Sequence, residues 1–214
     1  MTRSGTSSAA DFLPEHRSLD ALREAADVCQ GCALYQDATQ TVFGEGSADA
    51  KVVFIGEQPG DEEDRAGRPF VGPAGRLLDR AMVDAGIDRR AAYITNAVKH
   101  FKWEPRGKRR IHKKPQDREI KACKPWLAAE IELIRPQVVV CLGVTAATAA
   151  FGKAVRLKDH RGRFVATPLC DWTFVTTHPS ALLRLQEADL REAEYQRLVE
   201  DLQQVQTQLH EDAR

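Results

Sequence analysis

The chain has no apolar run long enough to enter a membrane. Its most apolar stretch, Val138-Val139-Val140-Cys141-Leu142, falls far short of the roughly 20 residues that a spanning helix needs. The opening residues, MTRSGTSSAADF, lack the apolar core of a secretion signal. Both absences argue for a cytoplasmic location and against a membrane partner. Net charge is missing too: 31 Lys and Arg balance 31 Asp and Glu. Bulk charge therefore says nothing of a nucleic-acid partner, which must be sought in how the charge is distributed. Cysteine is sparse and odd in number, five at uneven spacing in 214 residues. A chain of this size can fold on one core without staples, so in a reducing compartment the pattern favours metal ligation over a disulfide framework. No internal repeat or low-complexity segment interrupts an otherwise ordinary globular composition.

What is present alternates between two periodicities. Residues 1–17 are polar, rich in Ser, Thr and Ala, and read as a flexible tail ahead of one domain spanning 18–214. A helix is expected behind Ser18, leading into Cys29-Gln30-Gly31-Cys32. Short apolar runs at Val52–Ile55, Tyr93–Thr95, Gln137–Leu142 and Phe174–Thr176 read as buried strands. Helical periodicity fills Ala74–Ala85, Asp117–Ile134, Thr145–Ala150 and about 187–208, and a basic loop extends from the second strand to about residue 116. Strands alternating with helices predict an α/β fold: three α/β/α layers around a central four-stranded parallel sheet. Functional loops in such sheets lie beyond the carboxyl ends of the strands. Gly56-Glu57-Gln58, Asn96 and His178 all sit at such ends and should share one cleft.

Each motif has a plain reading beside a chemical one. Gly56-Glu57-Gln58-Pro59-Gly60-Asp61-Glu62-Glu63-Asp64 places a carboxylate in a glycine-framed turn that lets a ligand approach the backbone, or it is a tight loop with solvated acids. Phe70, in Gly67-Arg68-Pro69-Phe70-Val71-Gly72, is a base-stacking platform or a core plug. Asn96 carries a donor and an acceptor and can read a nucleobase edge, or it caps a turn. Lys99–Lys114 holds eight lysines and arginines against one acid, Glu104, with Phe101 and Trp103 among them. Phosphates attract such a segment, and the aromatics offer stacking surface for unpaired bases. Within it lies Lys108-Arg109-Arg110-Ile111-His112, whose cations should hold the imidazole in its neutral, nucleophilic form. His178-Pro179-Ser180-Ala181-Leu182-Leu183-Arg184 combines a possible donor to developing negative charge with a helix cap and groups able to wedge into or grip a duplex. Cys29-x-x-Cys32 is a metal half-site that His100 and Cys123 would complete. Spacing alone leaves zinc, an iron–sulfur cluster and a redox-active pair open.

Taken together, these segments resemble family 4 uracil-DNA glycosylases from about Cys29 to the last helix. Gly56–Gly60 resembles the first catalytic motif, Gly67–Gly72 the aromatic clamp loop, Asn96 the base-reading position and His178–Arg184 the second motif. Two departures resemble the UdgX subfamily: His100 stands where ordinary members have a cysteine, and the insertion Arg106–Lys114 contains Lys-Arg-Arg-Ile-His. The resemblance implies a [4Fe–4S] cluster on Cys29, Cys32, His100 and Cys123, and a covalent bond from His112 to deoxyribose. It also implies uracil-containing DNA as partner, with single strands preferred, and a monomeric protein. His112, Glu57 and His178 are then the expected catalytic residues. Gly56, Gln58, Asp61, Phe70 and Asn96 should hold the base, and Lys108, Arg109, Arg110, Ser180 and Arg184 the DNA. An ordinary multiple-turnover glycosylase and an inert zinc-stabilised nucleic-acid-binding module are the rival readings.

Overall fold

The computed structural model describes residues 7–211. Six strands form its main sheet: β1 (Glu45–Gly46), β2 (Val52–Gly56), β3 (Ala92–Asn96), β6 (Val138–Leu142), β7 (Arg163–Val165) and β8 (Thr173–Thr176), in the order β1-β3-β2-β6-β8-β7. The four central strands are parallel, as expected. Two short antiparallel edge strands, β1 on β3 and β7 on β8, correct the expected four-stranded sheet to six. Parallel strands buried on both faces read as continuous apolar runs, whereas two or three residues at an edge leave no such pattern.

Each face of the sheet carries its own helical layer. On one side α1 (Leu19–Asp27), α4 (Asp117–Ile134) and α5 (Val144–Phe151) pack on Val53, Ile55, Tyr93, Val139 and Cys141. On the other, α3 (Pro73–Asp84), α7 (Pro179–Leu183) and α8 (Ala188–Glu211) cover Val52, Phe54, Ile94, Val140 and Phe174. Alternate residues of one strand thus serve opposite cores, as the two-residue period requires. Two short helices, α2 (Asp61–Ala66) and α6 (Leu157–His160), sit beside the carboxyl ends of the strands. No helix among the described residues is long and apolar enough to cross a membrane.

Two expectations change. Within the expected tail, Ala9–Phe12 form a 3-10 turn capped by Ser8, and Ala9 is buried against the α1–α4 layer, so packing begins well before Ser18; residues 1–6 lie outside the described part. The basic segment is a β-hairpin rather than a loop, β4 (Trp103–Arg106) paired with β5 (Arg109–His112). Gly107, at the first position of its two-residue connection, has φ +60°, the backbone that a tight hairpin turn demands and glycine adopts without strain.

The strand order reverses between β2 and β6, since β3 lies to one side of β2 and β6 to the other. Loops diverge at such a reversal and leave a crevice beyond the carboxyl ends.

Candidate active site

A cleft of about 600 Å³ occupies that crevice. Its lining includes Glu57 and Gln58 from the end of β2, Asn96 from the end of β3, Gly143 after β6 and His178, Ser180 and Arg184 after β8, together with Phe70 and His112. Eight of the residues singled out in the sequence therefore meet in one place. Gly56 lies beneath them: a Cβ there would fall on Asn96 Oδ1 and within 2.6 Å of the Phe70 ring. The absent side chain makes room for the other two.

Asn96 is buried, and its Oδ1 accepts no hydrogen bond within the protein. A buried amide oxygen without a donor is costly unless a ligand supplies one. Beside it stands Phe70, whose backbone adopts φ +56°. A bulky residue in the left-handed region is an outlier that only a constrained loop sustains. The constraint is visible: Glu63 accepts hydrogen bonds from Gly72 N (2.8 Å) and Gly60 N (3.0 Å), tying the phenylalanine loop to the β2 loop. Gly75 of α3 packs directly on the Phe70 carbonyl, where any side chain would collide.

His178 caps α7. Its Nδ1 accepts from Ser180 N at 3.1 Å, so the proton of the neutral ring resides on Nε2 and is free to be donated. Burial holds the ring neutral, lowering its pKa to about 4, with help from Arg184 and His112. His112 ends β5 with Nε2 3.3 Å from Glu57 Oε1. Its pKa is lowered, chiefly by burial and further by Arg184, against the opposing pull of Glu57. The other Glu57 oxygen accepts from Thr145 Oγ1 at the start of α5, so both carboxylate oxygens are held.

Several expected roles change on inspection. The Gln58 amide, though it lines the cleft, is engaged within the protein. It donates to the carbonyls of Lys102 (3.1 Å) and Lys113 (3.0 Å) and accepts from Lys102 N (3.1 Å), clasping both ends of the hairpin that carries His112. Arg110 turns inward rather than toward DNA, bonding Asp61, Asp64 and Thr39. Asp61 is thereby an anchor for the hairpin and is not part of the cleft lining. Phe101 is fully buried, Trp103 donates to Asp37 O at 2.8 Å, and the Arg110 guanidinium lies over both rings. These aromatics brace the hairpin instead of offering a stacking surface. Lys108 and Arg109 remain exposed at its tip. Of the two candidate wedges, Leu182 is buried and Leu183 is 45% exposed. Sequence reasoning missed Asp64 and Glu63, though both stood in an acidic run; nothing local marks which acid of such a run turns inward.

The four expected metal ligands lie around the α1–α4 layer. Cys29 and Cys123 are buried, Cys32 is partly buried, and all three are free thiols; burial raises the pKa of Cys32 and Cys123, and neighbouring thiols add to it. Cys29 Sγ accepts from Trp126 Nε1 at 3.3 Å and Cys123 Sγ from Lys99 N at 3.2 Å. His100 Nε2 lies 3.0 Å from Thr41 Oγ1. That hydroxyl donates its one proton to Ala26 O at 2.8 Å, so Nε2–H is the donor to it and Nδ1 keeps its lone pair. Among the described residues no three such side chains converge on a point that would hold a single metal ion. A polynuclear cluster spreads its ligands over several iron atoms and does not require convergence on one.

Comparison with known proteins supplies the family. Residues 43–203 match the profile of the uracil DNA glycosylase superfamily. A Type-4 uracil-DNA glycosylase of Thermotoga maritima is 40% identical over 179 residues, covering 81% of this chain and 87% of that protein. Its counterpart in Sulfurisphaera tokodaii is 36% identical over 176 residues, covering 78% and 76%. A Type-5 enzyme of Pyrobaculum aerophilum is more distant, 33% identical over 46% of each chain. With a profile match over most of its length and a relative 40% identical over 81% of it, the chain belongs to the uracil DNA glycosylase superfamily.

Proposed function

We propose that the protein excises uracil from DNA, single strands by preference, and that His112 then captures the abasic sugar, leaving protein and DNA covalently joined. The observation that carries this reading is the His112–Glu57 contact inside a cleft that also holds Phe70, Asn96 and His178. A uracil inside a stack is out of reach, so it must enter the cleft flipped out or from a single strand. Phe70 would stack on the base and Asn96 read its O4 and N3 edge. The orphaned Asn96 Oδ1 suits uracil N3–H. Cytosine offers an acceptor at N3 and a donor at the 4-position, and the mismatched pairs reject it.

The chemistry follows from charge. The C1′–N1 bond breaks with its electron pair leaving on the base, and the Nε2–H of His178 donates to O2 of the resulting anion. The Glu57 carboxylate, fixed through Thr145, faces the cationic sugar. An imidazole lone pair of His112 forms the new bond to C1′ in place of water, since a tethered nucleophile gains several kcal/mol over a diffusing one. The imidazolium sheds its remaining proton, for which Glu57 is the neighbouring base. Lys108, Arg109, Ser180 and Arg184 would contact the DNA backbone.

Cys29, Cys32, His100 and Cys123 would hold a [4Fe–4S] cluster. The N–H donors to Cys29 and Cys123 and the free Nδ1 of His100 suit such ligands. Held there, these residues would join the segment after α1, the segment after β3 and α4. A second reading, a multiple-turnover glycosylase, is favoured by the Type-4 names of the relatives.

One denaturing gel separates the two. Purified protein is mixed with a labelled single-stranded oligonucleotide carrying one uracil, alongside His112→Ala. A heat- and detergent-stable band in the parent that is absent from the variant supports capture through His112. Uracil release without that band supports ordinary turnover, and the absence of both release and adduct would overturn the enzymatic reading.

A further inference from the structure

We infer that Lys99 and Glu130 form a buried positioning pair that sets the base-reading edge of Asn96; the inference rests on the uracil-reading role proposed for that residue. Both side chains are removed from solvent, with 1% and 0% of their surface exposed, and Lys99 Nζ lies 2.6 Å from Glu130 Oε2. The other two ammonium protons also have partners: Thr95 Oγ1 at 2.5 Å and the backbone carbonyl of Asn96 at 3.0 Å. Glu130 is equally committed, accepting from Tyr93 Oη at 2.9 Å and from Thr95 Oγ1 at 3.0 Å, besides Lys99. Gly44 seals the cluster, since a Cβ there would strike Tyr93 Oη and Glu130.

Stability does not account for such a pair. Desolvating two ions costs about as much as their attraction returns, and apolar replacements of similar volume are often neutral or stabilising. What an apolar pair could not supply is the bond from Nζ to the Asn96 carbonyl. Ala97 N donates to Gly56 O at 3.0 Å on one edge of the peptide that follows Asn96, and the Lys99 bond holds its other edge, at the point where β3 ends and the Asn96 side chain projects into the cleft. Lys99 is itself held at its other end, its amide donating to Cys123 Sγ on α4. Asn96 is therefore braced from behind through a rigid path to the longest helix of that layer, while its own Oδ1 is left open to a ligand.

The test uses Lys99→Met combined with Glu130→Leu, Asn96→Ala, and the triple variant, each assayed for single-turnover uracil release at saturating oligonucleotide. Thermal unfolding and visible cluster absorbance accompany each. Lys99→Met alone should lose much stability because it strands a buried carboxylate, and Glu130→Leu should restore it. The restored double variant should still release uracil about 10- to 100-fold more slowly, the loss expected of a misplaced contact group. The triple variant should be no slower than Asn96→Ala, because both changes act through one side chain. Parental release by a stable double variant overturns the inference, as does a triple variant slower by the product of the two losses, or a defect that tracks lost cluster absorbance. If Asn96→Ala itself releases uracil at the parental rate, the base-reading role falls and takes the inference with it. A double variant that does not fold is replaced by Lys99→Met with Glu130→Gln, which keeps an acceptor for Tyr93 and Thr95, still removes the bond to the Asn96 carbonyl and is judged by the same criteria.

Discussion

Gly56→Ala is the smallest change that probes the base pocket. Gly56 ends β2 without a positive φ, so an alanine meets no backbone objection there and the obstacle is space alone. Its Cβ would fall on Asn96 Oδ1 and lie 2.6 Å from Phe70 Cζ and 2.7 Å from Cε2. Carbon contacts settle at about 3.5–4.0 Å, so ring and amide must retreat by about 1 Å, toward the volume assigned to the base. Phe70 has little latitude: its backbone is already left-handed, and Gly75 blocks it from behind. Overpacking should cost about 1–3 kcal/mol of stability and lower Tm by several degrees, leaving the protein folded at 25 °C. Shifting a positioned group by about 1 Å is worth about 100-fold in rate. Single-turnover uracil release should therefore fall by roughly two orders of magnitude while the variant still melts cooperatively. Parental release at a lowered Tm would refute the placement of uracil over Gly56. Parental values of both would refute the steric argument itself.

Glu57→Gln keeps the shape of the side chain but removes the charge beside the sugar and the acceptor for the imidazole proton; adduct formation should slow by about 100-fold or more, with oligonucleotide affinity by fluorescence anisotropy little changed. Because burial lowers the His112 pKa below its ordinary 6.5, the ring stays nucleophilic where a solvated histidine is half protonated. The adduct rate from pH 8 to 5 should stay level through 6.5 and fall only below it, and a midpoint at or above 6.5 would contradict this. His178, lowered from 6.5 to about 4, protonates first in the unfolded chain. Its contribution to stability is thus complete above 6.5 and is lost as pH falls toward 4, up to about 3 kcal/mol; urea midpoints at pH 7 and 4.5 should converge more in His178→Gln than in the parent. Gln58→Ala frees both ends of the hairpin, so the ratio of free abasic DNA to covalent adduct on a denaturing gel should rise several-fold, and an unchanged ratio would mean that the clasp is dispensable.

The parts of this fold that were legible in the sequence owe their visibility to burial. Val52–Ile55 and Val138–Leu142 stand out because a parallel strand covered on both faces must be apolar throughout. The residues at their carboxyl ends stand out because glycine, proline and lone polar groups break those runs. The edge strands Glu45–Gly46 and Arg163–Val165 are too short to show any pattern. The destinations of Gln58 and Arg110 were hidden for another reason: their partners lie 44 to 55 and 46 to 71 positions away, and charge in a sequence does not say which acid it will meet.

The hairpin shows what that concealment costs. As a run of cations, Lys108–Arg110 reads as one undifferentiated DNA-binding stretch ahead of the nucleophile His112. Folded as a strand, it obeys a period of two. Arg110 and His112 share a face, the first locked onto Asp61 and Asp64 and the second set against Glu57, while Lys108 and Arg109 stay in solvent at the tip. One segment thus has separate groups to anchor itself, to present a nucleophile and to meet phosphate. A one-residue slip in pairing would turn Arg109 and Ile111 toward the acids and His112 away from them. The two-residue Gly107-Lys108 connection and the Gln58 clasp, which together hold the register of the hairpin, are therefore as much a part of the candidate site as the imidazole they aim.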